Sequence, residues 1–148
     1  MNILAIDPAT VCGWAHSGAG SGVWDLSVRA DESNGMRLLR LRAKLNAARE
    51  AGLDLVVFEA GRNLKYGNAV RVAAQLQGVI ELWCTEHEIA YRGYSPSEIK
   101  KHATGSGNAT KDRMLETARE TFADAAVIDH NHADALWLLD LAMMEYGA

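Results

Sequence analysis

Asp7, Glu59 and Asp134 are the residues of this sequence whose types and settings suit them best to chemistry. Asp7 closes the apolar run NILAID and Glu59 closes DLVVFE, so each carboxylate emerges at a point fixed by the burial of the residues before it. Asp134 stands in HADAL between Ala133 and Ala135, small residues that let a helix lie close to a sheet. Carboxylates gathered at low dielectric repel one another unless a cation intervenes. Mg2+ prefers oxygen ligands and retained waters, and two such ions can clamp the attacking and leaving oxygens of a phosphodiester displacement. Taken singly, each acid has a plainer reading: Asp before Pro forms turns, and Asp in a first helical turn complements the dipole. All three at element ends point to metal-dependent phosphodiester chemistry.

Two groups of cations accompany the acids. Lys100 and Lys111 bracket a Gly/Ser/Asn loop within YSPSEIKKHATGSGNATKDRM, residues 94–114, with Lys111 just inside a helix capped by Thr110. Lys111 is suited to stabilising charge on a reacting phosphate, against the plainer reading of a solvated loop. Arg62, Lys65 and Arg71, with Tyr66 among them and no acid between 60 and 80, directly follow Glu59. A basic loop carrying an aromatic that can stack on an unpaired base fits distorted or branched DNA better than smooth duplex; the plainer reading is a solvated helix start.

The elements that must position these residues follow from periodicity. Residues 2–7 read as a buried strand, 11–17 and 21–28 as a hairpin about Gly18-Ala19-Gly20, and 54–59 and 89–94 as further strands. Met36, Leu38, Leu39, Leu41, Leu45 and Ala48 recur at helical spacing over 35–51, closed by Gly52. An Ala-rich helix spans 68–88, another runs from about Thr110 to Phe122, and the last begins near Asn131 and turns Ala133, Leu136, Leu139, Leu141 and Met143 inward. Trp14, Trp24, Trp83 and Trp137 fall within these elements and read as core anchors. The predicted order is β-β-β-α-β-α-β-α-α, an α/β architecture with a mixed five-stranded sheet flanked by helices, which resembles the RNase H-like fold. Fold alone fixes no activity.

Composition sets the outer limits. The 148 residues, 49% hydrophobic and 23% charged, suit one compact domain over 1–148 without linker or repeat. The net charge of −4 argues against phosphate binding until its distribution is considered. Residues 1–113 carry 14 Lys/Arg against 12 Asp/Glu, whereas 114–148 carry one basic residue against seven acidic ones. Bound cations invert the local field of an acidic site, so the acid excess is compatible with an anionic substrate. Cys12 and Cys84 sit in apolar stretches as reduced core thiols, with no metal-ligand spacing. With no signal-peptide pattern and no apolar run of membrane-spanning length, the expected location is cytoplasmic, in a bacterium or a virus-infected cell, away from the membrane.

From IDPAT to HADALWLL the sequence resembles the RuvC-type Holliday junction resolvases, particularly their short phage-like forms. Asp7, Glu59 and Asp134 match three of that family's four metal-binding acids, Lys100 and Lys111 its two basic loop positions, and the interval from Glu59 to Gln77-Gly78 its second helix. The resemblance implies a homodimer paired through the 68–88 helix, symmetric nicks in four-way junctions, activity on other branched DNA such as flaps, and two Mg2+ per site with Mn2+ able to substitute. Val72, Ala73, Leu76 and Val79 offer the pairing surface. The sequence departs from the family pattern in three places: Ala9 follows Asp7-Pro8, Arg62 stands where a wedging aromatic is expected, and Asn131 replaces an acid or His. Asn131 can still ligate through its carbonyl, and Asp129, His130 and His132 are the other contenders for the fourth position. Three competing functions remain at this stage: an RNA:DNA-hybrid nuclease on the same scaffold, a fragment of an actin-like ATPase, and a weakly catalytic branched-DNA-binding module.

Overall fold

The computed structural model describes residues 1–61 and 67–147. The strands are β1 (Ile3–Asp7), β2 (Val11–His16), β3 (Gly20–Asp25), β4 (Leu55–Glu59) and β5 (Ala90–Tyr94), and the helices α1 (Gly35–Glu50), α2 (Asn68–Glu86), α3 (Pro96–Thr104), α4 (Lys111–Thr121) and α5 (His130–Tyr146). The strands form one sheet in the order β3-β2-β1-β4-β5. β1, β4 and β5 run parallel, and β2 pairs antiparallel with both β1 and β3, so that it alone runs against the other four strands. This is the mixed five-stranded, helix-flanked sheet expected of an RNase H-like fold.

Side chains alternate between the two faces of a strand, and this alternation orients the acids. In β1, Leu4 and Ile6 face the core beneath α1 and α2, whereas Ile3 and Ala5 face the core beneath α3, α4 and α5. Val56 and Phe58 in β4 take the first face and Leu55 and Val57 the second. The next residue of each strand, Asp7 or Glu59, therefore points to the α5 side. Ile6 lies opposite Phe58 in the parallel register, so both carboxylates end neighbouring strands at the same height.

The helix carrying Asp134 reaches that place because β2 has no side chain at Gly13, the residue paired with Asp7. A Cβ there would lie 1.8 Å from the Asn131 carbonyl oxygen and 2.3 Å from its carbon. Asp129 caps α5 by accepting the His132 backbone N–H at 2.9 Å. The His132 ring is buried; its Nδ1 accepts the Ile128 N–H at 3.0 Å, so Nε2 carries the proton and donates to Ser21 Oγ at 2.8 Å. Burial holds the imidazole below its usual proton affinity, with nearby Asp129 opposing.

Several expectations are corrected. Residues 96–104 are a helix within the segment expected to be a loop: Ser95 Oγ accepts the Glu98 N–H at 3.2 Å, Pro96 occupies the first turn and Gly105 closes the helix with φ of 84°. Lys100 thus sits on α3, and only 105–110 separate it from α4. Strand β3 stops at Asp25, short of residue 28. Leu39 and Met143 are exposed, because each lies beside the buried stripe of its helix, Leu41 and Leu45 in α1 and Leu138, Leu141 and Ala142 in α5. Val72, Ala73 and Leu76 are buried in the chain's own core and Val79 packs against it, because α2 covers the sheet and α1 together. The surface expected for pairing is therefore occupied within one chain. The four tryptophans do belong to the cores, and both cysteines are buried and free, with the Cys84 thiol pushed up to about 12 by burial.

Two predictions follow from the seating of α5. Gly13→Ala forces α5 off the sheet and should cost about 3 kcal/mol or more, lowering the melting temperature by roughly 10 °C; a loss under 2 °C would mean that the close approach carries no constraint. His132 titrates lower in the folded chain than its usual 6.5, so stability from its neutral form is complete above that pH and is lost as pH falls through the folded value. Thermal unfolding from pH 8 to 5 should show this decline, and His132→Asn should flatten it.

Candidate active site

Asp7, Glu59 and Asp134 each present a carboxylate oxygen within 4.8 Å of the others. Asp7 is buried, while Glu59 and Asp134 are half-buried, at the wall of a cavity of about 290 Å³. The carbonyl oxygen of Glu59 accepts the Gln77 side-chain amide at 3.3 Å, which ties the end of β4 to α2. Asp134 lies one turn inside α5, on the face that Ala133 and Ala135 flank without bulk.

Like charges at this spacing oppose one another's ionisation, and a divalent cation removes the conflict. The donor set suits a hard ion: carboxylate oxygens, with the side-chain amide of Asn131 also on the cavity wall. The residues present therefore fit a Mg2+-like cation. His130 lines the same cavity, its Nε2 3.2 Å from Asp112 Oδ1. The other two contenders for the fourth position face elsewhere, Asp129 as the helix cap and His132 toward Ser21.

Lys100 and Lys111 stand on the cavity wall from α3 and from the first position of α4. The Thr110 hydroxyl accepts the Arg113 N–H at 3.1 Å and caps that helix. Pro96, Ile99 and Met114 complete the wall, so that acids, cations and partly apolar ground line one cavity. Such an arrangement can hold cations, bind a phosphate and counter charge that develops on it. Arg71 is exposed in the first turn of α2 and does not line this cavity. Arg62, Lys65 and Tyr66 lie outside the described residues.

Gly13 is the functional position that sequence reasoning missed. A glycine inside an otherwise apolar strand, VCGWA, signals close approach of another backbone, and that approach brings Asp134 to Asp7. The bond from Gln77 to Glu59 has no such local signal.

A sequence profile of the family described as Crossover junction endodeoxyribonuclease RuvC matches residues 36–139. That span includes Glu59, Asp134 and both lysines; Asp7 lies before it. A RuvC of Brachyspira hyodysenteriae is 38% identical over 68 residues, 46% of this chain and 41% of that relative, so the match covers less than half of the relative's length. A RuvC of Mycobacterium sp. strain KMS is 31% identical over 143 residues, covering 85% of this chain and 77% of the relative. Among solved structures, Thermus thermophilus RuvC superposes with a TM-score of 0.76 at 20% identity over 98% of this chain and 97% of the other. The T. thermophilus RuvC in complex with a Holliday junction substrate gives 0.75 at 18% identity over 98% and 96%. These two establish the fold, and the profile together with the mycobacterial alignment establishes the kinship. The chain belongs to the RuvC family of crossover junction endodeoxyribonucleases.

Proposed function

We propose that residues 1–148 act as one nuclease unit that resolves four-way DNA junctions, and cuts related branched DNA such as flaps, by paired nicks from a homodimer in the cytoplasm. The observation that carries this reading is the meeting of Asp7, Glu59 and Asp134 in one cavity that Lys100 and Lys111 also line. The junction substrate named for the T. thermophilus neighbour supports a four-way junction over an RNA:DNA hybrid. The weakly catalytic alternative is prompted by Asn131, which contributes a neutral oxygen where a charge is expected, and measured cleavage separates the two.

Asp7, Glu59 and Asp134 would hold Mg2+, or Mn2+ in its place, with Asn131 as a neutral fourth donor. When bound, two such ions activate water and neutralise charge on the scissile phosphate. The chain's own residues do the rest. Asp7 and Glu59 are held by strand ends and Asp134 by a helix pressed on the sheet, so the carboxylates need no rearrangement during reaction. Lys100 binds the phosphate backbone. Lys111, at the loop-to-helix boundary, counters charge that grows on the reacting phosphate. Arg71, with Arg62, Lys65 and Tyr66, extends the contact along a branched strand.

Single-turnover cleavage of a synthetic four-way junction, with binding measured in Ca2+, tests these roles. Asp7→Asn, Glu59→Gln and Asp134→Asn should each slow cleavage at least about 100-fold while junction affinity holds or rises; Lys111→Ala should slow it similarly with affinity within about twofold. Near-normal turnover in any acid variant removes that residue from the ligand set. Weak binding with normal cleavage at saturation makes Lys111 an anchor.

Pairing is assigned to the outward face of α2, where Ala74, Gly78 and Leu82 are exposed at four-residue spacing and Leu82 is 62% accessible. Sedimentation should show a dimer at micromolar concentration and a folded monomer for Leu82→Arg. A wild-type chain that stays monomeric with and without junction DNA would contradict the assignment.

A further inference from the structure

Helix α3 has nine residues and a single buried one, Ile99. A helix this short has little stability of its own, so its placement depends on what it touches. Lys100 faces the cavity, and His102, two residues on, points roughly 200° away around the helix. There His102 Nε2 is 2.7 Å from Asp140 Oδ2 of α5, with the His102 side chain only 16% exposed. The ring also meets Trp137 edge-on, with centroids 5.9 Å apart at 78°.

Asp140 and Asp134 belong to the same helix, so the bond fixes the Lys100 helix to the helix that carries a site carboxylate. The second lysine helix is fastened separately. Trp137 Nε1 donates to the Met114 carbonyl of α4 at 3.3 Å, and Trp137 packs edge-on against Phe122 at 4.7 Å. One face of α5 thus holds the two lysine helices by different polar bonds, Asp140 to His102 on the Lys100 helix and the Trp137 indole N–H to Met114 on the Lys111 helix, with the Trp137 ring packed against both.

We infer that His102, bonded to Asp140, is a positioning residue for substrate binding: it sets Lys100 against the DNA backbone without touching DNA itself. The inference rests on the reading of Lys100 as a phosphate contact. Without the bond, α3 keeps Ile99 and its caps but loses the polar tie that fixes its rotation over the cavity. Lys100 then samples positions beyond reach of the phosphate, and the loss falls on affinity. Cleavage of bound substrate stays near normal, because Lys111 is held through Trp137.

The test is a double-mutant cycle on the full chain, with four-way junction affinity in Ca2+ and single-turnover cleavage in Mg2+ at saturating enzyme. Lys100→Ala should weaken binding about tenfold, as for loss of one charge-assisted contact, and His102→Ala about fivefold. The double variant should be no worse than Lys100→Ala within about twofold, whereas independent effects would multiply to about fiftyfold. His102→Gln, which keeps a donor, should recover affinity to within about twofold of wild type. Asp140→Ala, at a side chain 45% exposed, should match His102→Ala and serves if that variant folds poorly. Cleavage at saturation should change less than about twofold in every His102 and Asp140 variant. Multiplicative losses, or a His102→Ala chain that binds as wild type, would overturn the positioning role while leaving the proposed function intact. An inert Lys100→Ala would overturn the phosphate-contact reading and the inference together.

Discussion

The geometry of the site depends on how closely α5 can lie on the sheet. Asp7 and Glu59 are fixed by neighbouring parallel strands, so their separation follows from the sheet itself. The third carboxylate has no such guide. It arrives on a helix whose first turn rests directly on the backbone of β2, at a residue with no side chain to hold it off. One methyl group at that point would intrude on the Asn131 carbonyl, and the closeness of the three acids would go with it. The small residues around Asp134, the capping Asp129 and the buried His132 bond to Ser21 all serve the same contact.

That contact has an electrostatic cost, which the rest of the site offsets. Three carboxylates within 4.8 Å are tolerable only where a cation can join them. Lys100 and Lys111 line the same cavity from two helices of the α5 face. Much of the acid excess behind the net charge of −4 lies in the last quarter, where α5 supplies Asp134 and Asp140.

The residues that met in space were legible in the sequence where local rules governed them. Apolar runs ending in acid gave β1 and β4 with their carboxylates, and small residues around Asp134 foretold a closely seated helix. The reading failed where a contact was long-range or an element was mostly polar. Helix α3 looks like loop because only Ile99 is buried, although Ser95-Pro96 followed by Glu98 is a helix-start signature. The apolar face of α2 suggests a partner chain because nothing local says that α1 also needs covering. Asn131 and His130 could not be separated from Asp129 and His132 by spacing, since neighbouring residues on one helix turn differ only in direction. The tie between His102 and Asp140 joins residues far apart in the chain and leaves no local trace.

The placement of Asp134 also bears on how the protein is made. Asp7 and Asp134 lie 127 residues apart in the chain, and β1 is made long before α5. The sheet order puts β1 at the centre, so it must wait for β4 before its second edge is paired and for α5 before its buried face is closed. Contacts of such sequence separation form slowly. A nascent chain that lacks α5 therefore cannot gather the three acids, and their cluster forms only when the helix that completes this core has packed.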